Sequence, residues 1–241
     1  MGGPKAMDVL RQASPTIGVG VLSADLMSLG SELALLEEAG VVVAHVDVMD
    51  GCFAPTMTAG PPLLKAMKTP LLKDAHLMIE EPLEKIGDYV AAGADIITVH
   101  VESTRHIHRA LQRLGQTENA NDPARGIVRG IGLNPGTPVA AIEPMLDEVE
   151  MIVLLAVNPG WGGQEFIPAT VDRAAEAKEM IGGSGREMLL CVDGGITRDN
   201  IAEVAGSGAD LIVTGSAVFD GKSPADNARF MLEACRSARG G

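Results

Sequence analysis

Short aliphatic and β-branched runs recur along the whole chain, and each is followed by a stretch whose apolar residues fall at helical spacing. Eight such runs can be counted: TIGVGVLSA from position 16, VVVAHVDVMD from 41, LLKDAHLM from 71, IITVHVE from 96, RGIGLNP from 129, MIVLLAVNPG from 151, EMLLCVDGG from 187 and LIVTGSAVF from 211. Near-continuous hydrophobicity of this kind belongs to strands covered on both faces, as in a parallel sheet. Between the runs, segments such as MSLGSELALLEEAG and ATVDRAAEAKEMIGG place Leu, Ala and Met on one helical face and end in glycine, the usual stop signal. EEAGVVV, AAGADIITV and GSGADLIV echo one another as helix end, glycine and strand start. Eight strands alternating with helices predict an α/β chain with a single-domain (β/α)8 TIM barrel over 16–241, after an N-terminal extension over 1–15. An open doubly wound sheet is the second choice. One polar segment, GQTENANDPARG from 115, breaks the rhythm and reads as a surface loop between the fourth helix and the fifth strand. Helix-to-strand loops lie opposite a barrel's active-site face, so an inserted loop is favoured over a substrate lid.

Composition changes this picture in two ways. Aromatic residues are only 2% of the chain against 46% apolar, so the core must be aliphatic and a site built from stacked rings is not expected. A net charge of −13 with no basic run argues against nucleic acid as a partner, and an anionic substrate would have to be held by local devices. The absence of a long apolar run argues against a membrane partner, and the first fifteen residues do not read as a signal peptide, so a cytoplasmic location is expected. Cys52, Cys191 and Cys235 show no CxxC spacing, and the last two read as small buried hydrophobes.

In such a barrel the C-terminal strand ends and the loops beyond them form the active-site face. Polar residues accumulate there: His45, Asp47 and Asp50 on the second strand, His76 on the third, His100 and Glu102 on the fourth, Asp193 on the seventh. His45 and Asp47 are two residues apart and share a strand face, with Met49 next in line. Turned into the barrel, such charges cost several kcal/mol each unless compensated, and a divalent metal is one compensator. His45, Asp47, His76 and Asp193 would make a mixed N/O set suited to zinc, with iron(II), manganese or cobalt as substitutes. A buried hydrogen-bond network, or separate surface contacts, is the other reading. Asp50 reads as a turn former.

Glycines supply a second pattern. NPGWGGQ, VDGGI and VTGSAVF follow the sixth, seventh and eighth strands, and barrels commonly bind phosphate after the last two. Backbone N–H groups of Gly162, Gly163, Gly194, Gly195, Gly215 and Ser216 would approach phosphate oxygens closely, helped by a helix N-terminus.

The ordered motifs VLSADL, HVDVMDG with the following FAP, AHLMI, GLNPGTP, VNPGWGGQEFI, VDGGI and GSAVF resemble the ribulose-phosphate 3-epimerase family from about Val19 to Phe219. The resemblance implies a (β/α)8 enzyme of the pentose phosphate pathway that inverts C3 of a ketose phosphate, D-ribulose 5-phosphate first. It implies one divalent ion held by His45, Asp47, His76 and Asp193, with Asp47 and Asp193 as the acid/base pair around an enediolate. Phosphate contacts are implied at Gly160, Trp161, Gly162, Gly163, Gly194, Gly195, Gly215 and Ser216, and a substrate pocket at Met49, Met78, His76 and Leu155. A small phosphorylated ketose and further copies of the chain, in a homo-oligomer, are the implied partners. The chain departs from the family at Val19 and Gly20 (usually Pro-Ser), Cys52 (His), Leu155 (Met) and Trp161 (Phe). Those changes leave two alternatives: a 3-epimerase of another ketose phosphate, or a phospho-sugar-binding homologue without catalysis. A lyase of similar fold would place a lysine between strand-end aspartates, where this chain has His76.

Overall fold

The computed structural model describes residues 4–239, and over them the chain closes an eight-stranded parallel barrel in sequential order. The strands are β1 (Thr16–Gly20), β2 (Val43–Met49), β3 (Leu72–Met78), β4 (Ile96–His100), β5 (Val128–Leu133), β6 (Met151–Leu155), β7 (Leu189–Asp193) and β8 (Leu211–Thr214). Each of the eight runs read from the sequence contains or overlaps one of them. The helices are α1 (Ala6–Ala13), α2 (Leu29–Glu38), α3 (Pro61–Ala66), α4 (Ile86–Ala91), α5 (Ile107–Gly115), α6 (Thr170–Ser184), α7 (Ile201–Gly206) and α8 (Pro224–Ser237). Between β5 and β6 the crossover is a 3-10 segment, Val139–Glu148, with Pro144 inside it. Proline lacks the N–H that an α-helix would need there.

Strand alternation sorts the side chains into two apolar layers and one polar one. Ala44, Val46 and Val48 of β2, with Ala75 and Leu77 of β3 and Ile97 and Val99 of β4, join the large cluster that contains residues of the surrounding helices. The opposite face starts apolar, with Val43, Leu72, Ile96, Val128, Met151, Leu189 and Leu211 in a second cluster that Ala6 and Leu10 of α1 join. Helix α1 thus packs on the N-terminal end of the barrel interior. Further along the same inward faces come His45 and Asp47, Asp74 and His76, His100 and Asp193. A parallel barrel forces inward side chains into shared layers, so residues far apart in sequence meet at its C-terminal end.

The polar segment after α5 is a surface loop anchored by one buried residue. Asn119 is 1% exposed; its amide donates to Asp95 Oδ1 (3.0 Å) and the Gly126 carbonyl (2.8 Å), while its own carbonyl accepts the Asn121 N–H at 2.9 Å. Asp95 stands just before β4 and also accepts the Lys73 N–H at 2.9 Å. The segment therefore ties the N-terminal ends of β3, β4 and β5, opposite the polar layer, and composition alone did not reveal the buried asparagine within it. Asn119→Ala is expected to cost about 1–3 kcal/mol by stripping a buried carboxylate and a carbonyl of donors. The readout is a lower urea midpoint at unchanged slope, and an unchanged midpoint would show that the tie is dispensable. No helix among the described residues is long and apolar enough to cross a membrane.

Candidate active site

Register brings the polar residues together. In the β2–β3 pair His45 lies beside Asp74, Asp47 beside His76 and Met49 beside Met78. Across the barrel Leu155 of β6 pairs with Asp193 of β7. The result is a cluster in which one ligand atom each of His45, Asp47, His76 and Asp193 lies within 4.8 Å of the others. His45 Nε2 is 3.1 Å from Asp47 Oδ1 and 3.6 Å from Asp193 Oδ2; His76 Nδ1 is 3.1 Å from Asp193 Oδ2 and 3.5 Å from Asp47 Oδ1. Two imidazole nitrogens and two carboxylate oxygens thus converge on one small volume, a donor set suited to a first-row divalent ion, and these four residues could hold one.

The far side of each imidazole is occupied too. His45 Nδ1 meets Asp74 Oδ2 at 2.7 Å, and His76 Nε2 meets His100 Nε2 at 2.8 Å. His100 Nδ1 in turn meets Glu102 Oε2 at 3.2 Å. Ligand histidines held through their second nitrogen have fixed ring orientations, a common feature of metal sites. Space for this chain of rings comes from β5, because a Cβ on Gly132 would lie 2.8 Å from His100 Nε2.

Burial alone would keep His45 and His76 neutral, but the carboxylates outweigh it. Against that desolvation, Asp74, Asp47 and Asp193 raise His45 well above the ordinary imidazole value. Hydrogen bonds to Asp193 and Asp47 likewise bring His76 up to about 9. Asp47 shows the reciprocal effect: burial pushes its pKa up, and the adjacent imidazoles hold it well below the usual carboxylate range. His100 is lowered by burial and by the charge on His76, despite Glu102. Glu102 is held at about 2, where bonds from His100, Thr137 and the Asn134 N–H outweigh its own burial.

Above the cluster opens a cavity lined by Asp47, Met49, Met78, Leu155 and Asp193 on the strands, and by Gly160, Trp161, Gly162, Gly163, Gly194, Gly195, Gly215 and Ser216 in the loops after β6, β7 and β8. Every glycine-loop residue singled out from the sequence borders this one cavity. His45 and His76 lie beneath it, 2% and 0% exposed. Met49, Met78 and Leu155 join Phe53 and Ala54 in a small apolar cluster beside the carboxylates. Among the described residues no lysine or arginine lines the cavity, so an anion there would be met by backbone N–H groups.

Several details differ from the reading of the sequence or lay outside it. No α-helix begins at Ser216 among the described residues; a single turn follows β8, closed by the N–H groups of Val218 and Phe219 on the Gly215 carbonyl at 3.0 Å each. Asp74 was not singled out, although it stands two residues before His76 as His45 does before Asp47. Ser23, in the quoted VLSADL, brings a hydroxyl to the cavity wall beside Gly215, where a Cβ would lie 2.6 Å from Ser23 Oγ. Gly20 lines the same wall, with only ordinary contact distances around an added Cβ. Asp50 shapes the turn after β2: Oδ1 accepts the N–H groups of Cys52 and Phe53, and Oδ2 that of Glu80. Lys73 points away from the cavity and donates to the Leu64 and Ala92 carbonyls at 3.1 and 3.0 Å, so no lysine stands between the strand-end aspartates.

Residues 16–219 match the model of the ribulose-phosphate 3-epimerase family. The chain is 41% identical over 202 residues to the ribulose-phosphate 3-epimerase of Bacillus subtilis, which covers 83% of this chain and 89% of that protein. Against the ribulose-phosphate 3-epimerase of Escherichia coli strain K12 it is 40% identical over 209 residues, 85% of this chain and 88% of the other. Among solved structures, KGPDC from Streptococcus mutans superposes with a TM-score of 0.68 over 94% of this chain and 99% of that one; at 15% identity this is a likeness of fold.

Proposed function

Because the chain belongs to the ribulose-phosphate 3-epimerase family, we propose that Asp47 and Asp193 exchange the C3 proton of D-ribulose 5-phosphate, giving D-xylulose 5-phosphate, at a site where His45, Asp47, His76 and Asp193 would hold a divalent ion. The activity is that of an isomerase of the racemase/epimerase class acting on ribulose 5-phosphate. The observation that carries the arrangement is the convergence of two carboxylates and two imidazoles at the floor of a cavity whose rim is three glycine-containing loops.

Inverting a carbon next to a ketone requires removing its proton and returning one to the opposite face, which needs two acid/base groups in different protonation states. Asp47 and Asp193 are the two carboxylates bordering the cavity. Either can take the C3 proton while its protonated counterpart delivers one, and the roles exchange in the reverse direction. A bound divalent ion, zinc first among the candidates, would supply positive charge for the enediolate that lies between the two transfers. Backbone N–H groups around Gly162, Gly163, Gly194, Gly195, Gly215 and Ser216 hold the phosphate and set the register of the sugar chain. Met49, Met78 and Leu155 keep water from the reacting carbons without offering a competing proton. Residues 16–241 are proposed to act as one catalytic unit, and a homo-oligomer is the proposed assembly.

The test is proton NMR of D-ribulose 5-phosphate with zinc-loaded protein in D2O. Deuterium entering C3 together with growth of xylulose 5-phosphate supports the proposal. Neither signal, in protein shown to contain metal, would transfer the activity to another ketose phosphate and make Gly20, Cys52 and Leu155 the residues to revert first.

Loading should depend on pH in a definite direction. Protons and metal compete for His45 Nε2 and His76 Nδ1, and both histidines hold their protons above the ordinary range, His76 to about 9. Metal affinity is therefore expected to rise with pH up to about 9 and to release up to about two protons per ion at pH 7. The chelated protein should behave oppositely. With folded-state pKa values raised, its imidazolium–carboxylate contribution to stability is complete below about 6.5 and is lost as pH rises through about 9. Calorimetry in two buffers of different ionisation enthalpy counts the protons, and zero release at pH 7 contradicts the assignment.

A further inference from the structure

One buried chain of contacts runs outward from the cluster and takes no part in the proton transfers above. His76 Nε2 lies 2.8 Å from His100 Nε2, and His100 Nδ1 lies 3.2 Å from Glu102 Oε2. The other carboxylate oxygen, Oε1, accepts the Asn134 N–H at 2.8 Å and the Thr137 hydroxyl. Arg173 holds that turn by donating to the Asn134 and Thr137 carbonyls at 3.0 and 2.8 Å. Both rings are fully buried, and these are the partners of their outward nitrogens.

The proton positions follow from one end of the chain. An ionised carboxylate only accepts, so His100 Nδ1 carries the hydrogen. Neutral His100 then has a bare Nε2, which accepts from His76 Nε2–H. A neutral His76 with its hydrogen on Nε2 leaves the lone pair on Nδ1, the atom that faces Asp47 and Asp193. His45 is arranged the other way round, with Nδ1 on Asp74 and Nε2 toward the cluster. We propose that Glu102, acting through His100, is a positioning residue that fixes the His76 tautomer, so that Nδ1 and not Nε2 is the ligand nitrogen. This rests on the metal reading above and extends it to two residues beyond the ligands.

Glu102→Gln should reverse these proton positions. The backbone N–H of Asn134 demands an acceptor, so the Gln carbonyl takes the Oε1 place and its NH2 faces His100 Nδ1. That nitrogen must then accept, the His100 hydrogen moves to Nε2, and His76 is driven to keep its own hydrogen on Nδ1, where the ion would bind. Thr137→Val removes another contact to the same carboxylate but leaves every tautomer as it was.

Zinc affinity by competition with a chromogenic chelator and histidine tautomers by 15N NMR should be measured on wild type and both variants. Expected are His100 protonated on Nδ1 and His76 on Nε2 in the zinc-loaded wild type, about 10–100-fold weaker zinc binding in Glu102→Gln, and unchanged binding in Thr137→Val. Wild-type protein with the His100 hydrogen on Nε2 overturns the inference even if the variant does not fold. Equal zinc affinity in wild type and Glu102→Gln also overturns it and leaves the metal reading standing. A wild type that binds no zinc overturns both.

Discussion

Asp193→Asn is expected to lose about 10²–10⁴-fold in turnover, the usual worth of a positioned acid/base group, which corresponds to roughly 3–5 kcal/mol of transition-state stabilisation. The amide matches the carboxylate in shape but can neither accept the C3 proton nor deliver one. It also weakens the floor of the site, since Asp193 Oδ2 faces both His76 Nδ1 at 3.1 Å and His45 Nε2 at 3.6 Å. The glycine-containing loops proposed to hold phosphate would do so through backbone N–H groups and do not need that charge. Inorganic phosphate should therefore bind the variant about as it binds the wild type, while xylulose 5-phosphate forms from ribulose 5-phosphate about 10²–10⁴-fold more slowly. Full turnover by Asp193→Asn would remove Asp193 from the acid/base pair, and loss of phosphate binding together with turnover would show collapse of the loop instead.

Gly195→Ala should damage the site by a different route. Gly195 has φ +67°, in the left-handed region, and a Cβ there would lie 2.7 Å from the Phe166 backbone N and Cα. Backbone atoms cannot swing aside as a long side chain would. Phe166 is followed by Ile167, whose N–H donates to the Ala156 carbonyl at 2.8 Å, so relief of the clash must move the loop carrying Gly160 to Gly163. Strain and overpacking together should cost about 2–5 kcal/mol, and each kcal/mol lowers Tm by about 2–4 °C in a domain of this size. KM for the sugar phosphate should rise as well. Gly162→Ala is the matched comparison: an added Cβ meets nothing within 4 Å, so stability should hold while any effect on KM reports phosphate contact alone. A Gly195→Ala protein with wild-type Tm would contradict this account of the loop packing.

Much of the fold was legible because a parallel barrel writes itself along the chain as buried β-branched runs alternating with helices. The eight strands were found that way, and the strand-end polar residues were singled out by their departure from it. Asp74 could have been found by the same two-residue rule that picked out His45 and Asp47. Asn119 was hidden by composition: in a stretch rich in Asn, Asp and Gly, nothing marks the one amide that is buried. The helix N-terminus expected to help the glycine loops is, after β8, only a single turn, since a tight glycine loop and a helix start share the same small residues.

What the sequence determined by itself was local: the period of each element, the strand face on which each polar residue stands, and the loops where backbone N–H groups lie free of side chains. Closure of the barrel decided the rest. Asp193 is 117 residues from His76 along the chain, and only register carried around eight strands places its oxygen beside that imidazole. The tautomers of His76 and His100 are likewise invisible in a string of letters, because a hydrogen's position depends on which acceptor lies opposite. Such contacts are non-local, and their energies depend on a burial that exists only once the chain has closed on itself.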